Sequence, residues 1–482
     1  MTTKMLLILL LMSAFVLAQT AEEAVDLTEN EHGFGVKATA MGNAFTGIAD
    51  DYSAIYWNPG GLAQIKTQQI YGSLNHLQLR TDATYLNNKT RTDQGFTKFQ
   101  SFGYVYPFPT RRGSLVLALG YQRVKDLNGI TQFSGYNTTS NDLAFSIYND
   151  LGYNGLTLNF DRDFQLTQDI KQEGHLAQWS IASAMALSPT FSAGLTFNII
   201  GGNSDYRLKY SQLDTQGKNS YDITDENGNP LDEFYYDSYQ IEETVSTDYS
   251  GIEFKIGGLW QPQKALRMGG SITFPTSITL DESWNYSDDL QYDIHVLAEE
   301  QTYHYDDPYD STGTFSYEIQ TPFKFDLGMS YSLKNLLLAA SMRYVDWTQL
   351  QLKKADNTPD SYVTLFNEQN DRIPTLFRPV LSYSFGAQLG VLNNTILLRS
   401  GYRYVPTPYK DVNKKADKTY YTAGVGLRVS ENTMIDIAFV HGFYEAKKYY
   451  RYDWDNDQTI NPMEVWEKHQ INKFQIALQI GF

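Results

Sequence analysis

The chain has 482 residues, a formal net charge of −17, no cysteine and an aromatic content of 14%. The acidic balance argues against nucleic acid as a partner, because phosphate binding needs clustered Lys and Arg. The lack of cysteine excludes both disulfides and a lipoprotein anchor.

Lys4 opens a short basic stretch, and Met5 to Met12 is an apolar run too short to cross a bilayer as a helix. The run closes on Val16-Leu17-Ala18. Residues 1–18 are predicted to be a secretory signal peptide cleaved after Ala18, with Lys4 lost from the mature chain. No later apolar run is long enough for a membrane helix, which excludes a helical membrane protein. The mean hydropathy of −0.41 suits a soluble exported protein. It also suits a transmembrane barrel, whose strands alternate lipid-facing and lumenal residues. Tyr 36, Phe 26 and Trp 7 favour the barrel, which needs aromatic girdles at both membrane interfaces.

Residues 19–66 have no lipid face. They are small, polar and weakly helical, and are predicted to be either a periplasmic tail or a plug folded inside the barrel. From residue 67 to 482 the sequence alternates with period two. Strands are predicted near 67–80, 96–107, 113–126, 175–188, 190–209, 246–262, 264–282, 314–333, 335–354, 378–391, 394–405, 418–430, 432–446 and 467–482. That is a fourteen-stranded antiparallel outer-membrane β-barrel whose short turns alternate with long loops. An even strand count places both chain ends on the periplasmic side. The long loops, near 127–174, 210–245, 283–313, 355–377 and elsewhere, are predicted to be extracellular. Residues 281–310 hold ten Asp or Glu and no Lys or Arg, which suits a solvated surface or cation bridging to neighbouring lipopolysaccharide.

The last strand is the clearest. Phe474, Ile476, Leu478, Ile480 and Phe482 share one face, and Lys473, Gln475, Ala477, Gln479 and Gly481 the other. Ending on Phe482 resembles the C-terminal signal read by the barrel-assembly machinery.

Asp453, Asp455, Asp457 and Glu464 fall at positions 1, 3, 5 and 12 of a calcium loop, although Gln458 stands where that loop needs Gly. They are a candidate Ca2+ site in an acidic loop; no other cofactor is expected. No metal-ligand His spacing, nucleophile elbow or phosphate-binding loop is present, so no enzymatic activity is expected.

The segment GVKATAMGNAFTGIADDYSAIYWNPGGLAQI, Gly35 to Ile65, resembles the hatch of the FadL/TodX family of outer-membrane transporters for hydrophobic compounds. Asn58-Pro59-Gly60-Gly61 stands at the family's Asn-Pro-Ala-Gly-like turn. Tyr344–Leu350, Leu397–Pro408 and Tyr421–Phe443 add later matches. The resemblance implies a plugged fourteen-strand barrel, with residues 19–66 as hatch. It implies passive uptake of long-chain fatty acids or aromatic hydrocarbons. A ligand would be captured in a groove among the outer loops, held in a lumenal site beside the hatch, and released sideways at a kink in the third strand into outer-membrane lipid. It makes Trp57, Asn58, Pro59 and Gly60 the candidate ligand-binding gate. Gly120, in that third strand, is either the kink or an inward glycine beside the hatch. Arg399 and Arg403 share a strand face, where they could meet a ligand carboxylate or pair with acids such as Asp326 or Asp436. A structural or adhesive barrel acting through its acidic loops is the alternative function.

Overall fold

The computed structural model describes residues 20–29, 33–139, 143–147, 151, 156–224, 230–356, 358–360, 362–450 and 463–482. The signal segment and Asp453, Asp455 and Asp457 lie outside them.

The strands are β1 (Gln69–Tyr85), β2 (Asn88–Phe108), β3 (Leu115–Asp126), β4 (Gly129–Asn137), β5 (Ala144–Ile147), β6 (Leu156–Asn159) and β7 (Phe164–Ala186). They continue as β8 (Phe191–Leu213), β9 (Ser220–Thr224), β10 (Pro230–Gln263), β11 (Leu266–Thr273), β12 (Ser277–Val296), β13 (Gln301–Gln320) and β14 (Lys324–Leu333). The rest are β15 (Leu336–Asp346), β16 (Gln351–Lys354), β17 (Pro379–Val391), β18 (Ile396–Val405), β19 (Lys418–Arg428), β20 (Thr433–Tyr450) and β21 (Met463–Gly481). Among the described residues four α-helices accompany them: α1 (Ala21–Thr28), α2 (Val36–Ala40), α3 (Ala54–Trp57) and α4 (Tyr362–Leu376).

Antiparallel pairing runs round the wall and closes where β1 meets β21, from Gln69 opposite Gly481 to Thr84 opposite Trp466. Leaving aside the separate β5–β6 hairpin and the short β9, and counting β3/β4, β11/β12, β13/β14 and β15/β16 as single wall positions, gives the fourteen-stranded closed barrel that the sequence predicts. The alternation holds in space. Phe474, Ile476 and Leu478 stand exposed on the outside of β21, while Lys473, Gln475 and Ala477 are buried inside. An apolar belt of this kind circles the barrel near its short-turn end.

Three strands predicted as continuous are interrupted. Pro275 separates β11 from β12 and Pro322 separates β13 from β14, because proline donates no ladder hydrogen bond. The single 3-10 turn Trp347–Gln349 splits β15 from β16. A larger departure concerns the acidic segments 210–245 and 283–313, predicted as loops. They are mostly strand. The 34 residues of β10 reach about 110 Å at ~3.3 Å per residue, so β8, β10, β12 and β13 rise past the apolar belt as a tall sheet. Their Tyr, Thr and Ile content suits a pleated surface. An aromatic cluster packs against this sheet around Phe160, Phe164, Phe234, Tyr236 and Tyr292. The segment 355–377 holds α4 rather than open loop.

Residues 33–66 fill the lumen at the level of the belt. Wall glycines let the plug approach backbone to backbone. A Cβ on Gly401 would lie 2.1 Å from the Gly42 nitrogen, and Gly42 itself needs a φ of +65°. Added Cβ atoms on Gly103 and Gly120 would each stand 2.1 Å from the Tyr52 side chain.

Two outcomes are expected. Gly401→Val should unseat the plug and give steady ion conductance in a planar bilayer, where the parent protein gives little; equal, low conductance in both would show that the wall tolerates the side chain. The second concerns the outer cluster, where Asp288 accepts hydrogen bonds from Tyr286 (2.7 Å) and Tyr239 (3.1 Å). Burial pushes the Asp288 carboxyl from 3.8 up to about 6, against these two bonds and helped by Asp307 and Asp289. The folded chain then holds this proton more tightly than the unfolded one, so stability falls as pH rises from about 4 through 6. Amides of residues 284–294 should exchange more slowly at pH 5 than at pH 7 after correction for intrinsic rates, and Asp288→Asn should remove the difference. Equal protection at both pH values in the parent would contradict the assignment.

Candidate functional site

The plug is fastened by the residues of its Asn-Pro turn. Asn58 is fully buried, and its amide donates to the Thr46 carbonyl (3.0 Å) and across to the wall carbonyl of Gly258 (2.9 Å). Its side-chain oxygen accepts from the Gly60 N–H (3.1 Å), which starts the short helix Pro59–Gln64. Pro59 and Gly60 lie against the wall glycines Gly194, Gly257 and Gly258. Trp57 donates to the Phe34 carbonyl (2.7 Å) and stacks edge-on against Tyr56. The structure therefore places all four candidate gate residues between plug and wall, as the seat of the plug.

Above the plug, on its long-loop side, lies an apolar compartment occupied by α1. Ala21, Ala24, Val25 and Leu27 are buried there in one cluster with Val124, Leu127, Leu176, Ile278, Phe315, Ile319, Leu352 and Phe366 of the wall and α4. The helix starts at a capping box, in which Thr20 accepts from the Glu23 N–H (3.2 Å). Acids in its first turn and lysines at its last carbonyls complement its dipole. Lys324 donates to Thr28 O (3.3 Å), and Lys125 donates to Glu29 O (2.5 Å) and to Asp26 O. Eight residues are too few for a stable free helix, so α1 depends on this seat. At its other end the Ala21 N–H meets Gln369 of α4 (3.3 Å). The sequence reading put residues 19–66 in one hatch and both termini on the periplasmic side. In space Thr20–Glu29 lies beyond the plug, toward the long-loop end, while Phe482 lies at the short-turn end.

The floor of this compartment is cationic. Lys255, Lys324, Arg343 and Arg403 point in from four strands around Tyr56 and Trp57. Arg343 is paired with Asp326 (2.7 Å) and lies over both rings, while Lys255 donates to the Tyr56 carbonyl. Among the described residues Lys255, Lys324 and Arg403 make no ion pair, and the buried Nε of Arg403 has no hydrogen-bond partner. Arg399, four residues away, is different. It is bound to Asp436 (2.5 Å) and Gln388 (2.8 Å), so it ties the wall together.

The wall opposite is discontinuous. The β2–β3 ladder runs from Phe108 opposite Leu115 to Ser101 opposite Gln122, and stops. Among the described residues, 88–99 of β2 have no ladder partner on that side, whereas β3 and β4 remain paired to β7 throughout. β3 bulges between Arg123 and Lys125 and ends at Asp126. The resulting seam begins at the outer rim of the apolar belt. Val124 and Leu127 line its lumenal side, and Phe99, Tyr121 and Trp179 form an aromatic row outside.

Gly120 lies away from the seam. It sits in regular pairing opposite Gly103, and its lack of a side chain admits Tyr52. Of the candidate calcium ligands, Glu464 is described, and it is bound to Lys447 (2.5 Å) and Trp466 (2.7 Å). Sequence reasoning missed Lys255, Lys324 and Arg343. Their signal was present as cations on strand faces otherwise filled by small inward residues, but period two alone does not say which face is lumenal.

The model of the family described as outer membrane protein transport protein (OMPP1/FadL/TodX) matches residues 14–465. No curated protein matches the sequence. Among solved structures, a Pseudomonas aeruginosa FadL homologue is 15% identical with a TM-score of 0.56, covering 94% of this chain and 98% of that one. The P. putida toluene transporter TodX is 12% identical with a TM-score of 0.56, covering 94% and 99%. The CymD monoaromatic hydrocarbon channel is 13% identical with a TM-score of 0.52, covering 94% and 98%. At these identities the structures speak for the fold, and the family match speaks for membership. The chain belongs to the OMPP1/FadL/TodX family of outer-membrane β-barrel transport proteins, which are channels for hydrophobic compounds.

Proposed function

We propose that this protein takes up long-chain compounds with an anionic head, such as fatty acids, passively across the outer membrane. The observation that carries the reading is the apolar compartment floored by the buried Lys255 and Arg403 and the half-buried Lys324, which have no ion pair among the described residues. Burying an acyl tail there gains about 0.8 kcal/mol per methylene. A carboxylate would meet Arg403, whose Nε has no hydrogen-bond partner among the described residues, against what buried charges ordinarily find. An aromatic hydrocarbon would fill the compartment but leave that charge unanswered.

Transport needs more than one site. The ligand enters from the long-loop end past the outer aromatic cluster and takes the place of α1. The plug, seated on Trp57, Asn58, Pro59 and Gly60, blocks the straight path and keeps water and ions out. The seam between β2 and β3 offers a sideways route whose lumenal face is apolar and whose outer lip is an aromatic row at the level of the lipid headgroups. No energy source is required if successive sites are weak. In this orientation the tall acidic sheet faces the lipopolysaccharide surface, and the short turns and Phe482 face the periplasm and the barrel-assembly machinery. A structural or adhesive barrel acting through the acidic sheet needs neither the compartment nor the seam.

Calorimetric titration of the purified full-length protein with a long-chain fatty acid below its micelle threshold should show saturable binding. Arg403→Met should weaken it by roughly tenfold or more, the worth of a hydrogen bond to a charged group, while leaving the affinity for a hydrocarbon of equal length unchanged. Toluene binding without fatty-acid binding would move the reading to aromatic hydrocarbons. No binding of either would favour the adhesive reading.

A further inference from the structure

The seam has a closure that the strand ladder does not provide. At Ser73–Leu74 the β1–β2 register slips, with Ser73 opposite Ser101 and Leu74 opposite Phe99. Gln100 is therefore the extra residue of a β-bulge, and a bulge re-aims the side chain it carries. Here it turns the amide inward, where Gln100 is 2% exposed. Its side-chain oxygen accepts from Asn75 Nδ2 on β1, and its Nε2 donates to the backbone carbonyl of Arg123 on β3. Arg123 is itself the last paired residue before the β3 bulge. Two bulges thus face each other across the point where the wall comes apart, and one amide spans them.

We infer that Gln100 is the latch of the wall seam: its side chain replaces the missing ladder bond between β2 and β3, and breaking that bond opens the sideways exit. The inference rests on the release route given above. The latch is coupled to the plug one residue pair further down, where Tyr52 donates to Gln122 (3.0 Å) and Gln122 donates to Ser180 (2.5 Å). It is coupled to the compartment as well. Lys125, two residues past the Gln100 acceptor, holds the last carbonyls of α1. A ligand that displaces α1 releases Lys125, and the segment it belongs to is then held to β2 by the Gln100 amide. Farther up the seam the described cross-links are weak or exposed, such as Thr92 to the Ile130 carbonyl (3.3 Å) and Asn88 to the Ser134 carbonyl (2.8 Å).

The chain has no cysteine, so a single introduced one reports on the seam. Val124→Cys places a thiol at the bulge, and Val116→Cys places a control in the intact ladder of the same strand, where Val116 is fully buried. The full-length protein is labelled with N-phenylmaleimide in liposomes, with and without a second change at position 100. Gln100→Glu keeps size and the acceptor for Asn75 but has no donor for the Arg123 carbonyl; Gln100→Ala removes both bonds without adding charge. Each should speed labelling at position 124 roughly fivefold, the opening expected from the loss of one hydrogen bond, and leave position 116 unchanged. Unchanged labelling at 124 in both variants, or equal acceleration at 116, would overturn the latch. Fatty-acid binding measured on the same preparations separates the two readings. A parent that fails to bind while position 124 responds would keep the latch and remove the proposed substrate.

Discussion

Hydrocarbon offers no hydrogen bonds, and this single constraint organises the molecule. Every backbone N–H and C=O in the apolar belt must find its partner in the wall, so the sheet closes on itself where β1 meets β21. Closure around fourteen positions leaves a lumen wider than wall side chains can fill. A plug must then occupy it, and a plug of folded backbone reaches the wall only where the wall has no side chain. The glycines at 103, 120, 194, 257, 401 and 424 follow from that need, and so do the many Gly and Ala residues of the plug itself. The same constraint gives the seam its meaning. A ladder can lapse where the wall leaves the lipid, and it lapses between β2 and β3 at the outer rim of the belt.

Polarity inside the barrel is distributed unevenly. Where plug meets wall, charges are matched: Arg399 with Asp436 and Lys37 with Asp50 (2.6 Å). One layer higher, Lys255, Lys324 and Arg403 stand without ion pairs among the described residues at the foot of an apolar chamber. Buried charge is expensive, and Asp326, Glu253, the plug carbonyls and the end of α1 offset part of it. The arrangement suits a chamber that spends part of its time holding an anion with a long apolar tail.

Much of this was legible in the sequence, because lipid imposes a strict code. Period-two alternation found every wall position, and the six short turns fall where Pro, Asn, Ser and Gly interrupt it. The Gly/Ala stretch left a periplasmic tail and a plug open, and the resemblance of Gly35 to Ile65 to the family's hatch pointed to the plug. Other features were hidden for physical reasons. The acidic segments 210–245 and 283–313 carry strand-forming Tyr, Thr and Ile among their carboxylates, but they lack an apolar outward face, which made them resemble loops. Arg399 and Arg403 look equivalent on one strand face, and only the position of Asp436 across the wall distinguishes them. A glycine in a strand weakens it, which makes Gly120 a kink candidate by sequence, while the break in the ladder lies at a bulge beside Arg123, a place with no distinctive residue. A bulge is a fact of register between two strands, and one strand's sequence does not record it.

Photo-crosslinking reads the sideways route directly. A long-chain fatty acid carrying a diazirine near its tail is taken up by cells displaying the full-length protein, irradiated during transport, and its adducts are mapped by mass spectrometry. Adducts on Val124, Leu127 and Phe99, on both sides of the seam, are the expected result. Adducts confined to the plug residues facing the short-turn end, with none along β2 or β3, would show that the ligand passes straight through the barrel and contradict the sideways route.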